Sequence, residues 1–514
     1  MSDELPKLGK GEQADICFVL EGTYPYVRGG VSSWIHQLIE NLPHYQFAIV
    51  FIGSAAKDYS GLLYQLPSNV CHLEVHYLAE LSAVFTDTKA IHGSAVIEEL
   101  VGNIYQHYYQ TEHAPQEALP DIAELLGVGA ARLRQEFSAS ILLWRFYRER
   151  YQQFYHHENF SHYFWSLRSM YTTLLGLLHI AEKVPQAHCI HSVSTGYAGA
   201  LASFLRIVRR KPLVLTEHGI YTKERKIDIY SAPWGVEEQA VLPPGLNDRL
   251  SIQRRMWIRF FEDLGRLTYS ASSVILTLYQ ANQQKQLDLG APPERCLVVP
   301  NGVDLTRFSF LRKQRREGVP GVIALIGRVV RIKDIKNFIR TVGCLVDKIP
   351  GVQGWIVGPE DEDPEYVAEC KALVIELGLQ QQVYFLGFRK IEDILPKIGL
   401  LTLTSISEGQ PLVVLEGFAA GIPAVTTDVG SCRELIEGRS HKDRKLGKAG
   451  AVVPIANPQA MALAAEKFLT DETAWLRAQE AAIARVESTY CESHLINRYQ
   501  RLYNKAISYG RNRV

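Results

Sequence analysis

The stretch that most limits what this chain can fold into runs from Leu400 to Pro423. Leu400-Leu401-Thr402-Leu403-Thr404 is an apolar run of the length of a buried strand, and the residues after it read as a turn and then a helix. Pro411 fits the first helical position, where its missing N–H costs nothing, and Gly421 followed by Pro423 fits the stop. The helix is therefore short, with its N-terminus at the carboxyl end of a strand. Open α/β sheets bind their ligands there.

Two carboxylates bracket this helix, Glu408 before it and Glu416 inside it. At about 1.5 Å of rise per residue their backbones stand on the order of 10 Å apart, the span of a nucleoside diphosphate rather than of one reacting bond. The N–H groups around Gly409, Gln410 and Leu412 are free to meet a pyrophosphate without a metal, aided by roughly half a positive charge from the helix dipole. For either Glu alone, a helix cap or a solvated face is the simpler reading. The whole string from Ser405 to Pro423 is more specific: Glu, seven residues, Glu, with Gly-x-Pro after the first and Gly-Phe-Ala-Ala-Gly-x-Pro after the second. It resembles the donor-binding signature of retaining GT-B glycosyltransferases, the glycosyl transferase group 1 family. That resemblance implies an α/β chain of two Rossmann-like domains facing a cleft.

A chain of 514 residues predicts more than one domain, and 47% hydrophobic residues give each a core to bury. Lys+Arg and Asp+Glu balance at 55 each, which leaves no electrostatic footprint for nucleic acid or an anionic membrane. The N-terminus is polar and no apolar run reaches the roughly 18 residues of a membrane span, so a cytoplasmic protein is expected. The scattered cysteines, without a Cys-x-x-Cys, read as buried thiols rather than disulfides or zinc ligands.

Asp15 to Leu20 reads as a first buried strand, and Val31 to Ile39 as an amphipathic helix, so Gly29 and Gly30 stand at a strand-to-helix turn. An ordinary tight turn accounts for a diglycine; the resemblance implies that this one faces the donor phosphates. Relatives with a Lys two residues before the diglycine have Val27 there in this chain, beside Arg28. From about Ala90 to Lys183 the pattern becomes helical and dense in Tyr, His, Phe and Trp, too long for a loop and read as an insertion, an acceptor site or a partner surface. His156, His157 and His162 lack a Cys or acidic partner at ligand spacing, and exposed helix histidines are expected. The strand Pro212 to Glu217 delivers His218 to a carboxyl edge. Alone it reads as a core or turn histidine; the resemblance implies that it contacts the transferred sugar, with His191 a weaker candidate.

Cys296 to Asp304 reads as strand and hinge, and Val322 to Gly327 as the first strand of the second domain. Arg328 and Lys333 just past its end suit a departing diphosphate, Arg as a bidentate fork and Lys as a point charge. A solvated basic loop is the alternative, since Arg331 and Lys336 are close by. Gly-Arg-x-x-x-x-Lys matches the family's phosphate clamp, with Asp334 in place of the Gly that usually follows. Asp361-Glu362-Asp363 imitates a metal-binding Asp-x-Asp but precedes Pro364 and a helix, and is read as an acidic N-terminal cluster. The resemblance puts the nucleobase near Arg389. The expected domains are 1–303, with the insertion at about 90–183, then 304–475 and a helical tail, 476–514, that packs back on the first.

The resemblance also implies chemistry. Arg328, Lys333, the helix start from Gly409 through Gln410 and Pro411 to Leu412, and Gly29-Gly30 stabilise the leaving diphosphate; Glu416 holds the ribose, Glu408 orients the sugar and His218 contacts it. No cofactor or metal is expected, a UDP-sugar being the donor substrate. Glu21 to Trp34 and Thr216 to Tyr221 look like one branch, the cytosolic glycosyltransferases of Pel exopolysaccharide systems. That branch implies a hexose or N-acetylhexosamine polymer as acceptor and an inner-membrane synthase complex as partner. The alternatives are a sugar phosphorylase or sucrose-type synthase, and a non-catalytic UDP-binding scaffold.

Overall fold

The computed structural model describes residues 5–9, 11–81, 89–109, 117–157, 159–231, 252–314 and 318–511. They divide into two units: Met1–Thr277 with Gln283–Leu297 and Tyr499–Val514, and Leu278–Asn282 with Val298–Arg498.

The first unit is built on a seven-stranded sheet: β1 (Gln13–Glu21), β2 (Phe47–Gly53), β3 (Val70–Tyr77), β4 (Gln186–Ser192), β5 (Leu213–Glu217), β6 (Val274–Thr277) and β7 (Cys296–Val298), in the order β3-β2-β1-β4-β5-β6-β7. β1 pairs in parallel with both β2 and β4. Covered on both faces, such strands need continuous apolar runs, and every residue of β2 is buried. The order reverses between β1 and β4. Helix α1 (Gly30–Glu40) follows β1. Between β3 and β4 stand α2 (Ala95–Tyr109), α3 (Leu119–Gly127), α4 (Ala130–Ala139), α5 (Ile141–Arg150) and α6 (Phe160–Lys183), where the sequence predicts an insertion. They share a core with α7 (Tyr197–Arg209) and α8 (Ile252–Ala271).

The second unit carries β8 (Val322–Ile326), β9 (Gln353–Val357), β10 (Val383–Gly387), β11 (Leu400–Leu403), β12 (Ala424–Thr427) and β13 (Gly450–Val453), ordered β10-β9-β8-β11-β12-β13. Here the order reverses between β8 and β11, which pair in parallel. α9 (Ile335–Val346) and α10 (Pro364–Glu376) follow β8 and β9, and α11 (Leu412–Ala419) follows β11.

The expected boundary at 476 differs from the observed division. α12 (Glu472–Thr489) stays in the second unit because Trp475, Ala478, Ala481, Ala482 and Val486 are buried in its core clusters. Arg485 of the same helix is wholly buried, donating to Asp443 Oδ1 at 2.7 Å and to the carbonyls of Leu435, Ile436 and Gly447. The last helix, α13 (Glu492–Arg511), joins the first unit only from Tyr499. Tyr499 and Tyr503 are buried there, their hydroxyls on Thr216 and His191.

Candidate active site

In the second unit the loops that follow β8 and β11 emerge side by side at the reversal of strand order, the point where doubly wound sheets open a crevice. They are stitched together. Thr404 Oγ1 donates to the Lys333 carbonyl at 2.8 Å, and Ile406 N–H to the Ile332 carbonyl at 2.9 Å. Lys333 Nζ reaches Glu408 Oε1 at 2.5 Å, and Ser405, buried behind them, donates to the same oxygen at 2.6 Å. Glu408 thus does not cap its helix. α11 has no side-chain cap, and its N-cap residue is Pro411, at φ −71° and ψ 109°. This corrects the expected first helical position by one residue: Pro411 keeps the extended backbone that the turn requires, and the helix starts at Leu412. Its first N–H groups are left for a ligand.

The four cations after β8 separate into two sets. Arg331 and Lys336 turn to α10, where both reach Glu369, at 2.8 and 2.5 Å. Lys333 turns to Glu408, and the exposed Arg328 holds Glu362 with both carboxylate oxygens, at 2.6 and 2.7 Å. Glu362 belongs to the acidic cluster before α10, whose N-cap is Asp363, accepting from the Tyr366 N–H at 3.1 Å. Asp334 sits in the left-handed region at φ 46° and caps α9 through the Asn337 N–H. That conformation favours Gly, and Asp is among the side chains that tolerate it.

Glu416 is partly buried on α11. Burial pushes its carboxyl up to about 7, opposed by Arg307, which itself donates to Glu392 at 2.6 Å. Gln410 is buried, its Oε1 accepting the Asn301 N–H at 2.6 Å, so its side chain is held within the second unit. Arg389 is exposed after β10, beside the 79% exposed ring of Phe388.

In the first unit, Gly29 is the N-cap of α1, and a Cβ on Gly29 or Gly30 would meet nothing within 4 Å. The loop is open, as close approach of a ligand requires. His218 follows Glu217, whose buried carboxylate accepts from Tyr269 at 2.8 Å, Gln286 at 2.9 Å and Thr195 at 3.2 Å, so the strand end is held rigidly. The His218 ring lies 4.7 Å, edge-to-face, from Trp34, and its buried Nε2 has no partner. Burial lowers its pKa to about 4. His191, the weaker candidate, is fully buried with both ring nitrogens satisfied, by Tyr503 and Thr216, and is structural.

Sequence reasoning missed three positions. Ser405 lies inside the signature but its contact with Glu408 is set by the turn. Gly430, at φ 54°, lies so close to the Glu408 turn that a Cβ would stand 2.2 Å from the Gly409 carbonyl. Ser431 N–H then donates to that carbonyl at 2.9 Å. A glycine after a strand was the one available signal.

Residues 14–294 match the family described as a domain of unknown function, DUF3492, and residues 320–471 match the glycosyl transferases group 1. A D-inositol 3-phosphate glycosyltransferase of Corynebacterium jeikeium is 30% identical over 190 residues, 34% of this chain and 43% of that protein. An N,N'-diacetylbacillosaminyl-diphospho-undecaprenol alpha-1,3-N-acetylgalactosaminyltransferase of Campylobacter jejuni is 25% identical over 263 residues, 49% of this chain and 65% of that protein. The chain spans about half the length of the curated relatives it matches. The crystal structure of Anabaena HepE in complex with UDP and glucose aligns over 96% of this chain and all of its own, with a TM-score of 0.54 and 15% identity, a likeness of fold. By a match over more than half its length the chain belongs to the DUF3492 family, on a GT-B fold whose second unit contains a group 1 glycosyl transferase domain.

Proposed function

We propose that this chain is a retaining glycosyltransferase of the PelF type, moving a hexose or N-acetylhexosamine from a UDP-sugar to a growing exopolysaccharide without a divalent ion. The observation that carries this reading is the Lys333–Glu408–Ser405 cluster at the strand-order reversal, beside an uncapped helix start. It supplies a mobile cation, backbone donors and a held carboxylate in one place. The names of the similar proteins support the substrate class: HepE binds UDP and glucose, and the Campylobacter relative transfers N-acetylgalactosamine.

The chemistry rests on charge. As the anomeric bond opens, the leaving diphosphate gains negative charge, which Lys333, Arg328 and the α11 N–H groups stabilise. Arg328 is available because its exposed ion pair with Glu362 contributes little, about 0–1 kcal/mol. Glu416 accepts from the ribose hydroxyls and Glu408 orients the sugar. Gly29 and Gly30 leave room for the phosphates, and the backbone near Arg389 reads the edge of the base. His218, uncharged at neutral pH, hydrogen-bonds the sugar through its free Nε2. The nucleophile attacks the face the diphosphate leaves, so the configuration is retained. The polymer setting makes the enzyme a cytoplasmic partner of an inner-membrane synthase complex; among the described residues no helix is long and apolar enough to cross a membrane.

UDP release measured against a panel of UDP-sugars, with and without an oligosaccharide acceptor, tests the reading. Release stimulated by acceptor with one or two UDP-hexoses is expected. UDP binding without turnover of any of them would leave a nucleotide-binding scaffold instead.

A further inference from the structure

Between β12 and β13 the chain runs through the helix Cys432–Glu437 and one further helical turn, His441–Arg444. The ten residues from Arg439 to Lys448 hold five Lys or Arg and a single acid, Asp443. That acid is turned inward. Asp443 is buried, its Oδ1 accepting from Arg485 at 2.7 Å and its Oδ2 from the Arg439 N–H at 2.8 Å, so its charge is met inside the fold. Lys442, Arg444, Lys445 and Lys448 are exposed. Lys448 reaches Glu437 at 2.8 Å, and Glu437 also holds Arg433, at 3.3 Å. Glu434 accepts the Gln280 N–H at 2.7 Å. Among the described residues Arg439, Lys442, Arg444 and Lys445 have no ion pair, and Arg498 of α13, which has none either, stands close enough to Arg439 for the two charges to repel. Like charges gathered this way work against the compact state until an anionic surface meets them.

The place of the turn excludes the donor diphosphate as that anion. The strands of the second sheet are all parallel, and the turn leads into β13, so it stands at their amino edge, whereas the loops bearing Lys333 and Glu408 follow the carboxyl ends. Residues 438–449 contain no Phe, Tyr or Trp, the rings on which single-stranded nucleic acid stacks. They do hold Leu446, exposed among the cations. Clusters of roughly four to eight Lys and Arg are drawn to anionic lipid headgroups, and an apolar side chain among them enters the headgroup boundary. We propose that the turn from Arg439 to Lys448 docks the second unit on an anionic lipid bilayer, its cations against the lipid phosphates and Leu446 in the headgroup layer. The chain's charges balance overall, so this attraction is local. It leaves the carboxyl-edge loops on the far side of the sheet, and it is independent of the donor reading.

Cosedimentation of the full chain with vesicles of phosphatidylcholine alone, and of phosphatidylcholine with about a third phosphatidylglycerol, tests it. Binding to the anionic vesicles is at least about tenfold tighter and weakens as salt is raised. Lys442→Gln combined with Lys445→Gln lowers it about tenfold or more, and Leu446→Gln weakens it while keeping the preference for phosphatidylglycerol. These side chains are exposed, so the variants fold and bind UDP as the unaltered chain does, and failure here is distinct from failure of the donor reading. The proposal is overturned by equal partition onto the two kinds of vesicle, by no cosedimentation at all, by binding that the folded double variant retains in full, or by a chain that takes up polyuridylic acid and leaves the vesicles in solution.

Discussion

Glu416 and His218 are both ionisable groups whose charge is set by burial rather than by a partner. Glu416, raised from 4.5 to about 7, holds a proton in the folded chain that the unfolded chain has lost between those values; its contribution to stability therefore falls as pH rises through that window. A ribose hydroxyl is best accepted by the ionised form. With about a tenth of the carboxyl ionised at pH 6 and nine-tenths at pH 8, UDP-glucose should bind roughly tenfold more weakly at pH 6. Glu416→Gln should remove that slope and weaken binding at pH 8, and a slope unchanged in the variant would exclude the ribose role. For His218 the expected outcome of His218→Ala is a loss of transfer of at least about a hundredfold with UDP affinity within twofold. Equal losses in kcat and UDP affinity would make it a structural residue packed on Trp34.

At the scale of elements, the site depends on three loops, after β8, β11 and β12, tied by Lys333 to Glu408, Thr404 to the Lys333 carbonyl, Thr427 to the Ser405 carbonyl at 2.7 Å, and Ser431 to the Gly409 carbonyl. Gly430 is where the third loop touches the second. Gly430→Ala should cost about 1–3 kcal/mol of stability and also weaken UDP binding, because its Cβ meets backbone that cannot give way. Gly378→Ala is the control: its φ of 67° brings similar backbone strain into open space, and UDP affinity should not change. A parallel effect of both on UDP would show that Gly430 acts through stability alone. The strands and turns bearing these loops were legible, since buried parallel strands announce themselves as apolar runs and Pro411, Gly421 and Pro423 punctuate one helix. The ties between loops were not. Whether Lys333 or Arg331 turns to Glu408 depends on which acids α10 offers its neighbours, and Glu369 is 38 residues from Arg331.

At the scale of the whole molecule, the described residues form two sheets with separate cores, and α13 is divided between the units. That division was only partly readable. α12 looks like a tail from its sequence, yet the buried Arg485 and its carbonyl partners around Asp443 anchor it to the second unit. The second unit carries the cations, the uncapped helix start and both signature carboxylates, and the first carries an open diglycine turn and a neutral histidine. On the proposed reading, the second unit's strand-order reversal receives the diphosphate of a nucleotide. A crystal structure of the chain grown with UDP tests it most directly. The diphosphate is expected against Lys333, Arg328 and the N–H groups that open α11, with the ribose on Glu416; UDP bound away from these residues would overturn the proposed site.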